Sequence, residues 1–226
     1  DTTAIEGIAV AGRSWADSAV LGRLRGYYGN LDAEVLVGKR ARDAFLGLSL
    51  SGIVDEGEMH GELALFRTPE DHPGGSILGN DRLIPKAVLG GSYTFNVGNG
   101  LTILGEYHYS GFGVKRAEDA TRQLLFNPDW RDRYMRGDSQ ILTRHAFATQ
   151  TLYPLNEAWS LGLLSLVNPR DGSGLVAPFA NWDFSQHGSL RLFAYCPWGK
   201  APGLIRLRSE YGSVPLSFFA QVALYF

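Results

Sequence analysis

Hydrophobic residues recur at every second position along most of this chain, and this alternation constrains the fold more than any other sequence feature. A period of two predicts β-strands with one apolar and one polar face. Most alternating segments are about ten residues long, whereas strands of soluble proteins usually have five or six. Ten tilted residues are about what a strand needs to cross the hydrocarbon core of a membrane. The pattern predicts about twelve strands, near residues 3–12, 19–28, 31–40, 44–54, 58–67, 85–96, 100–110, 140–152, 158–167, 174–184, 188–196 and 214–226.

The connections between these strands alternate in length. We expect one domain over residues 1–226, with long loops near residues 68–84, 111–139 and 197–213. The connections that separate these long loops along the chain are mostly short, which places the long loops on one side of the sheet. Transmembrane barrels have this arrangement, with tight turns on one side and longer loops on the other. The exception is the connection at 41–43, which is short where the alternation predicts a long loop.

Composition excludes several classes of function. The formal net charge of −2 and the pI near 6.2 argue against nucleic acid as a partner, because phosphate binding needs clustered basic residues. No apolar run reaches the ~18 residues of a transmembrane helix. The single cysteine, Cys196, cannot form an internal disulfide. We expect no cofactor and no bound metal.

A soluble β-sandwich or soluble barrel would also show alternation and remains an alternative. Three features argue against it. The strands are long, the long loops fall on one side, and the polar positions carry few lysines.

A family resemblance supports the membrane interpretation. The C-terminal segment from Leu216 to Phe226, with alternate hydrophobic residues and a final Phe, resembles the last strand of Gram-negative outer-membrane β-barrel proteins. The segment from Leu101 to Tyr109 is similar to strands of porin-like barrels. The resemblance implies an all-β, antiparallel transmembrane β-barrel of about twelve strands, or the C-terminal part of a larger barrel. It also implies a place in the bacterial outer membrane, contact with its lipids, and recognition of the last strand by the barrel-assembly machinery.

The two faces of such a barrel have different residues. If the apolar face contacts lipid, the other face lines the interior, and aromatic residues near strand ends lie at the membrane interfaces. The predicted pore-lining residues are Arg23, Arg25, Asp32, Glu34, His60, Glu62, Lys86, Glu106, His108 and Arg191. The predicted interface residues are Tyr93, Phe95, Tyr107, Tyr109, Trp182 and Phe226.

Three functions fit this pattern. The first is a porin-like passive channel for small polar solutes or ions, without enzymatic activity. The second is a non-conducting barrel that anchors or sheathes a partner, such as a periplasmic electron carrier. The third follows from His108 and Ser110, which resemble the His-x-Ser element of outer-membrane phospholipase; His108 would be the base and Ser110 the nucleophile. The predicted face of His108 is the interior, whereas lipid cleavage requires a site facing the bilayer.

Two further features receive structural interpretations. His60, Glu62, Glu106 and His108 have metal-ligand side chains, but they come from strands of undetermined register, so we predict no metal site there. The segment 127–136 is polar and carries Trp130. We expect it to decorate the surface; folding into the mouth as a constriction, or serving as a ligand surface, is the alternative.

Overall fold

The computed structural model describes residues 2–72 and 80–225 and shows an all-β fold. Two helices lie between the seventh and eighth strands: α1 (Ala117–Phe126) and α2 (Pro128–Met135). The strands are β1 (Thr2–Val10), β2 (Ala19–Tyr28), β3 (Leu31–Arg40), β4 (Asp43–Val54), β5 (Gly57–Arg67), β6 (Leu83–Phe95), β7 (Leu101–Ser110), β8 (His145–Pro154), β9 (Trp159–Val167), β10 (Gly174–Ser185), β11 (Gly188–Trp198) and β12 (Ser217–Leu224).

All twelve strands form one antiparallel sheet in sequence order, each paired with the next. The predicted all-β class, antiparallel arrangement and strand number are therefore confirmed. Over the described residues β1 does not pair with β12, so the sheet is not closed and each of these strands has a free edge.

Strand positions agree closely with the alternation, with one clear exception. β2 and β3 have the predicted bounds, whereas β8 begins at His145 instead of near residue 140. The reason is that backbone groups just before β8 bond outside the sheet: the Leu142 amide donates to the Glu210 carboxylate, and the Val114 amide donates to the Leu142 carbonyl. Of the predicted loop 68–84, residues 73–79 lie outside the described part of the chain.

The loops have the predicted one-sided distribution. We call the end of the sheet with connections 29–30, 55–56, 96–100, 155–158 and 186–187 the turn end. The opposite, loop end carries connections 68–82, 111–144 and 199–216. The connection at 41–42 is short although it lies at the loop end, because the flanking Arg40 and Asp43 lie beneath the 111–144 segment and bond to it.

Neighbouring strands are staggered in a regular way. A ladder of directly opposite residues that starts at Tyr27 in β2 ends at Leu175 in β10. Tyr27 lies one residue from the turn end of β2, and Leu175 lies ten residues from the turn end of β10. The stagger is therefore nine residues over eight strand-to-strand steps. With the usual strand spacing and rise, this corresponds to a tilt of roughly 35–40°, the tilt of barrel strands.

The two faces of the sheet differ in what covers them. The apolar face leaves large side chains exposed along its whole width, for example Leu50 (50%), Met59 (59%), Leu89 (63%) and Val222 (63%). The helices pack on the other, polar face, where Phe66, Ile84 and Phe112 form one buried hydrophobic cluster and Val114, Ala120 and Trp130 form another.

Candidate functional site on the polar face

The ten predicted pore-lining residues lie on one face. In the strand register, the paired positions and every second residue along each strand belong to this face, which extends from Arg23 in β2 to Arg191 in β11. This polar face is the same face on which the helices pack. It differs in character across the sheet: charged side chains dominate on β1–β7, and aromatic side chains on β10–β12.

On β1–β3 the charges pair across strands. The Arg23 guanidinium donates to the carboxylates of Glu6 (3.0 Å) and Glu34 (2.5 Å). Arg25 donates to both oxygens of Asp32. Basic side chains of β2 thus lie between acidic side chains of β1 and β3. These groups are partly exposed to solvent, which screens their attraction, so the pairs contribute little to the stability of the sheet.

A second polar cluster lies in the middle of the sheet. Glu106 bonds through one carboxylate oxygen to Nε2 of His60 (3.1 Å) and through the other to Nε2 of His108 (2.8 Å). Gly90 lies between His60 and Glu106 in the register. A Cβ atom at Gly90 would lie 2.7 Å from Glu106 Cγ and 2.8 Å from His60 Nε2. The absence of a side chain at Gly90 therefore allows this contact across three strands.

On β10–β12 the polar face carries stacked aromatic rings. The ring centroids of Phe193 and Phe219 are 4.9 Å apart, and Tyr195 packs edge-on against both rings. Arg191 lies next to this group along β11 and is exposed. One side of the polar face is thus charged and the other is aromatic.

The segment between β7 and β8, residues 111–144, is named the helical loop. The alternation and loop pattern of the sequence do not predict its second helix, α2. Asn127 caps α2, since its Oδ1 accepts a hydrogen bond from the Trp130 amide (3.1 Å), and Pro128 occupies the first helical position. Asn followed by Pro is a helix-start signal, so the sequence pattern contained the information.

Buried ion pairs hold the helical loop on the polar face. Arg133 of α2 donates to both oxygens of Asp43 in β4, at 2.6 and 2.9 Å, and the two side chains are only 4% and 2% exposed. Asp138 accepts from Arg40 of β3 and from Arg136. Burial alone would lower the pKa of Arg133, but hydrogen bonds with Asp43 and Asp129 outweigh it and raise the pKa above its usual value. The guanidinium therefore stays charged.

Apolar contacts add to these ion pairs. Phe112 packs edge-on against Phe66, with centroids 5.1 Å apart, and its carbonyl accepts a hydrogen bond from Trp130 Nε1 (2.9 Å). Trp130 is 2% exposed. The expectation that segment 127–136 decorates the surface is therefore wrong. The reason is that β4–β6 have apolar residues at the loop end of the polar face, which the helical loop covers.

The helical loop also contacts the far side of the sheet. Glu210, in the connection between β11 and β12, accepts hydrogen bonds from Leu142 N (2.7 Å), Thr143 Oγ1 (2.6 Å) and Asn168 Nδ2 (2.8 Å). Leu207 of the same connection packs against the apolar residues around Trp130. One segment thus contacts both β4 and the loop after β11, seven strands away. A sheet that curves around its polar face brings these elements within reach.

A cavity of about 310 Å³ lies between the helical loop and β5–β7. Ser110 and His108 both contribute to its lining, but they do not form a nucleophile–base pair. Ser110 Oγ is buried and shares a hydrogen bond with Ser139 Oγ (3.0 Å), whereas His108 Nε2 bonds to Glu106. Both side chains lie on the polar face.

Five of the six predicted membrane-interface residues lie on the apolar face, and the sixth, Phe226, lies outside the described residues. Tyr93 and Phe95 are at the turn end of β6, and Trp182 stacks on Trp159 at the same end. Tyr107 and Tyr109 are near the loop end of β7. Phe95 lies opposite Leu101 of β7, and Leu101 is eight residues from Tyr109 along that strand. With the tilt derived above, this gives an apolar height of roughly 20 Å, close to the ~25 Å band of membrane barrels.

Within residues 2–72 and 80–225, no group of three or more His, Cys, Asp or Glu side chains is arranged to hold a metal ion. The same part of the chain contains no helix with the length and hydropathy needed to span a membrane. No family model and no curated protein matches the sequence.

Proposed function

We propose that this protein forms the wall of an outer-membrane β-barrel and acts as a porin-like passive channel for small polar solutes or ions. One observation carries the proposal: large apolar side chains are exposed on every part of one face, while charges and helices gather on the other. Soluble monomers rarely expose contiguous apolar patches of more than a few hundred Å². A lipid environment would bury this face and leave the polar face to line a conduit.

The helical loop supplies the restriction that a selective channel needs. It is attached to the charged part of the polar face, at the loop end, by buried ion pairs. Solutes passing along this face would meet the cavity beside Lys86 first and the His60–Glu106–His108 cluster next. Opposite charges lining a narrow passage orient and select polar solutes.

Membrane insertion requires partners for the two free edges. Inside hydrocarbon every backbone polar group must be paired, so β1 and β12 must pair with each other or with further strands. The alternation of Phe218, Ala220, Val222 and Leu224 in β12 supports recognition by the barrel-assembly machinery.

Two neighbouring residues on β4 test the assignment of the faces. Leu48 lies on the apolar face and Ser49 on the polar face. We expect Leu48→Arg to destabilise the protein folded in lipid vesicles by about 2–4 kcal/mol, because a charge enters hydrocarbon. Ser49→Arg should leave folding unchanged and alter ion conductance in planar bilayers. Equal effects of both substitutions, or a wild-type protein that stays monodisperse in buffer without amphiphile, would contradict the membrane assignment.

Conductance tests the channel itself. The full-length protein, reconstituted in planar bilayers, should conduct ions. A barrel that conducts no ions would instead favour the second hypothesis, a barrel that sheathes a partner protein. Co-purification of that partner in mild detergent would support the second hypothesis. The lipid hydrolase stays a separate prediction: it requires lipid cleavage that Ser110→Ala abolishes.

A further inference from the structure

The cavity beneath the helical loop has a mixed lining. The sheet contributes Glu62 from β5, Lys86 from β6 and His108 from β7, and the helical loop contributes Gln140 and Ile141. Ala64 and Val88 complete the floor with small apolar surfaces. Its volume of about 310 Å³ is at the lower end for small-molecule sites.

Two oppositely charged side chains in this lining, Lys86 and Glu62, form no direct ion pair within the described residues, although Asp138 and Glu62 act electrostatically on Lys86. Lys86 Nζ donates to Gln140 Oε1 (3.0 Å), a neutral amide oxygen, and has no carboxylate partner among residues 2–72 and 80–225. Glu62 has neither a hydrogen bond nor an ion pair in that part of the chain. The two residues are diagonal neighbours, since Ala64 lies opposite Lys86 and Glu62 opposite Val88. Their charged groups nevertheless do not bond to each other.

The surrounding charges behave differently. Arg40 and Asp43, at the same end of the polar face, are each committed to a partner in the helical loop. Glu106 is committed to two histidines. The cavity therefore combines one available ammonium group and one available carboxylate.

We propose that this cavity binds a small zwitterion of the amino-acid class, with the solute carboxylate on Lys86 and the solute ammonium on Glu62. The inference rests on the proposed channel function and names the solute class of that channel. A zwitterion engages both protein charges at once, whereas a simple anion or cation engages only one of them. The small apolar floor fits a short aliphatic side chain.

L-Alanine is the probe, compared with propionate, ethylamine and propanol, which lack one or both charges. Binding to the full-length protein in detergent micelles is measured by calorimetry, and permeation by swelling of proteoliposomes. We expect alanine to bind more tightly than the other three compounds. Glu62→Gln and Lys86→Gln should each weaken alanine binding about tenfold, the usual loss for one charge-assisted hydrogen bond.

Glu58→Gln is the matched control, because Glu58 lies on the same strand and face and is exposed like Glu62, but lies outside this cavity. It should leave alanine binding unchanged. The double exchange Glu62→Lys with Lys86→Glu retains both charges and should bind alanine better than either single variant. This comparison also separates loss of a charge from loss of folding.

The result that overturns the inference is a wild-type protein that conducts ions but binds alanine no better than propionate, ethylamine or propanol. The channel proposal would survive that result. A protein that conducts no ions would instead contradict the proposed function, whatever it binds. Equal weakening by Glu58→Gln and Glu62→Gln would also overturn the assigned site.

Discussion

Removing the Asp43 carboxylate should release α2 from the polar face. In the folded protein Arg133 reaches Asp43 through two hydrogen bonds of 2.6 and 2.9 Å, and both side chains are almost completely buried. Asp43→Asn keeps the side-chain volume and removes the charge. Arg133 would retain Asp129, at 2.8 Å, and Asp138, whose nearest oxygen is 3.8 Å away.

The size of the effect follows from these contacts. Breaking a buried ion pair by removing one partner usually costs 3–5 kcal/mol, because the other charge stays buried. Asp129 and Asp138 still compensate part of the Arg133 charge, so we expect about 2–3 kcal/mol. If the helical loop opens locally, amide protons of α2 should exchange about 30–150 times faster.

Hydrogen exchange measured by mass spectrometry on the protein in detergent tests this directly. The turn end of the β2–β3 hairpin, around residues 29–30 and at the opposite end of the sheet from Asp43, should keep its protection. Asp132→Asn is the control, because Asp132 is exposed on the same helix and its nearest ion-pair partner, Arg131, is 3.9 Å away. Unchanged α2 exchange in Asp43→Asn would refute the view that this pair holds the helical loop. If the channel proposal holds, the same variant should also conduct more.

Two further predictions concern other parts of the polar face. Burial, and then the positive charge of Arg133, lower the pKa of His72 to about 4 from its usual 6.5. Between these values the unfolded chain binds a proton that the folded protein does not, so stability should fall by roughly 3 kcal/mol as the pH drops from about 6.5 to 4. His72→Gln should remove that part of the pH dependence of unfolding, and an unchanged slope would contradict the assignment. Gly90→Ala should destabilise the protein by about 1–3 kcal/mol in denaturant titrations, since the new Cβ would press on Glu106 and His60. Gly105→Ala, where a Cβ would meet nothing within 4 Å, is the control, and equal losses would refute the packing argument.

Most of the sheet could be predicted because its signal is local. Each strand has one apolar and one polar face, so its period is visible within ten residues, and the bounds of β2 and β3 agree with the prediction at both ends. The face of each predicted pore-lining residue follows from the same parity. β8 is the informative failure: residues 140–144 lie outside the sheet, because backbone groups of Leu142 bond to Glu210 and Val114, which no local pattern reveals.

The contacts of the candidate site depend on pairings between distant parts of the chain. Ninety residues separate Asp43 from Arg133, and His60 meets Glu106 only because Gly90 of the intervening strand has no side chain. Alternation assigns a residue to a face but does not say which residues of that face meet. Register, strand stagger and the path of the helical loop determine those contacts, because they result from the packing of the whole chain.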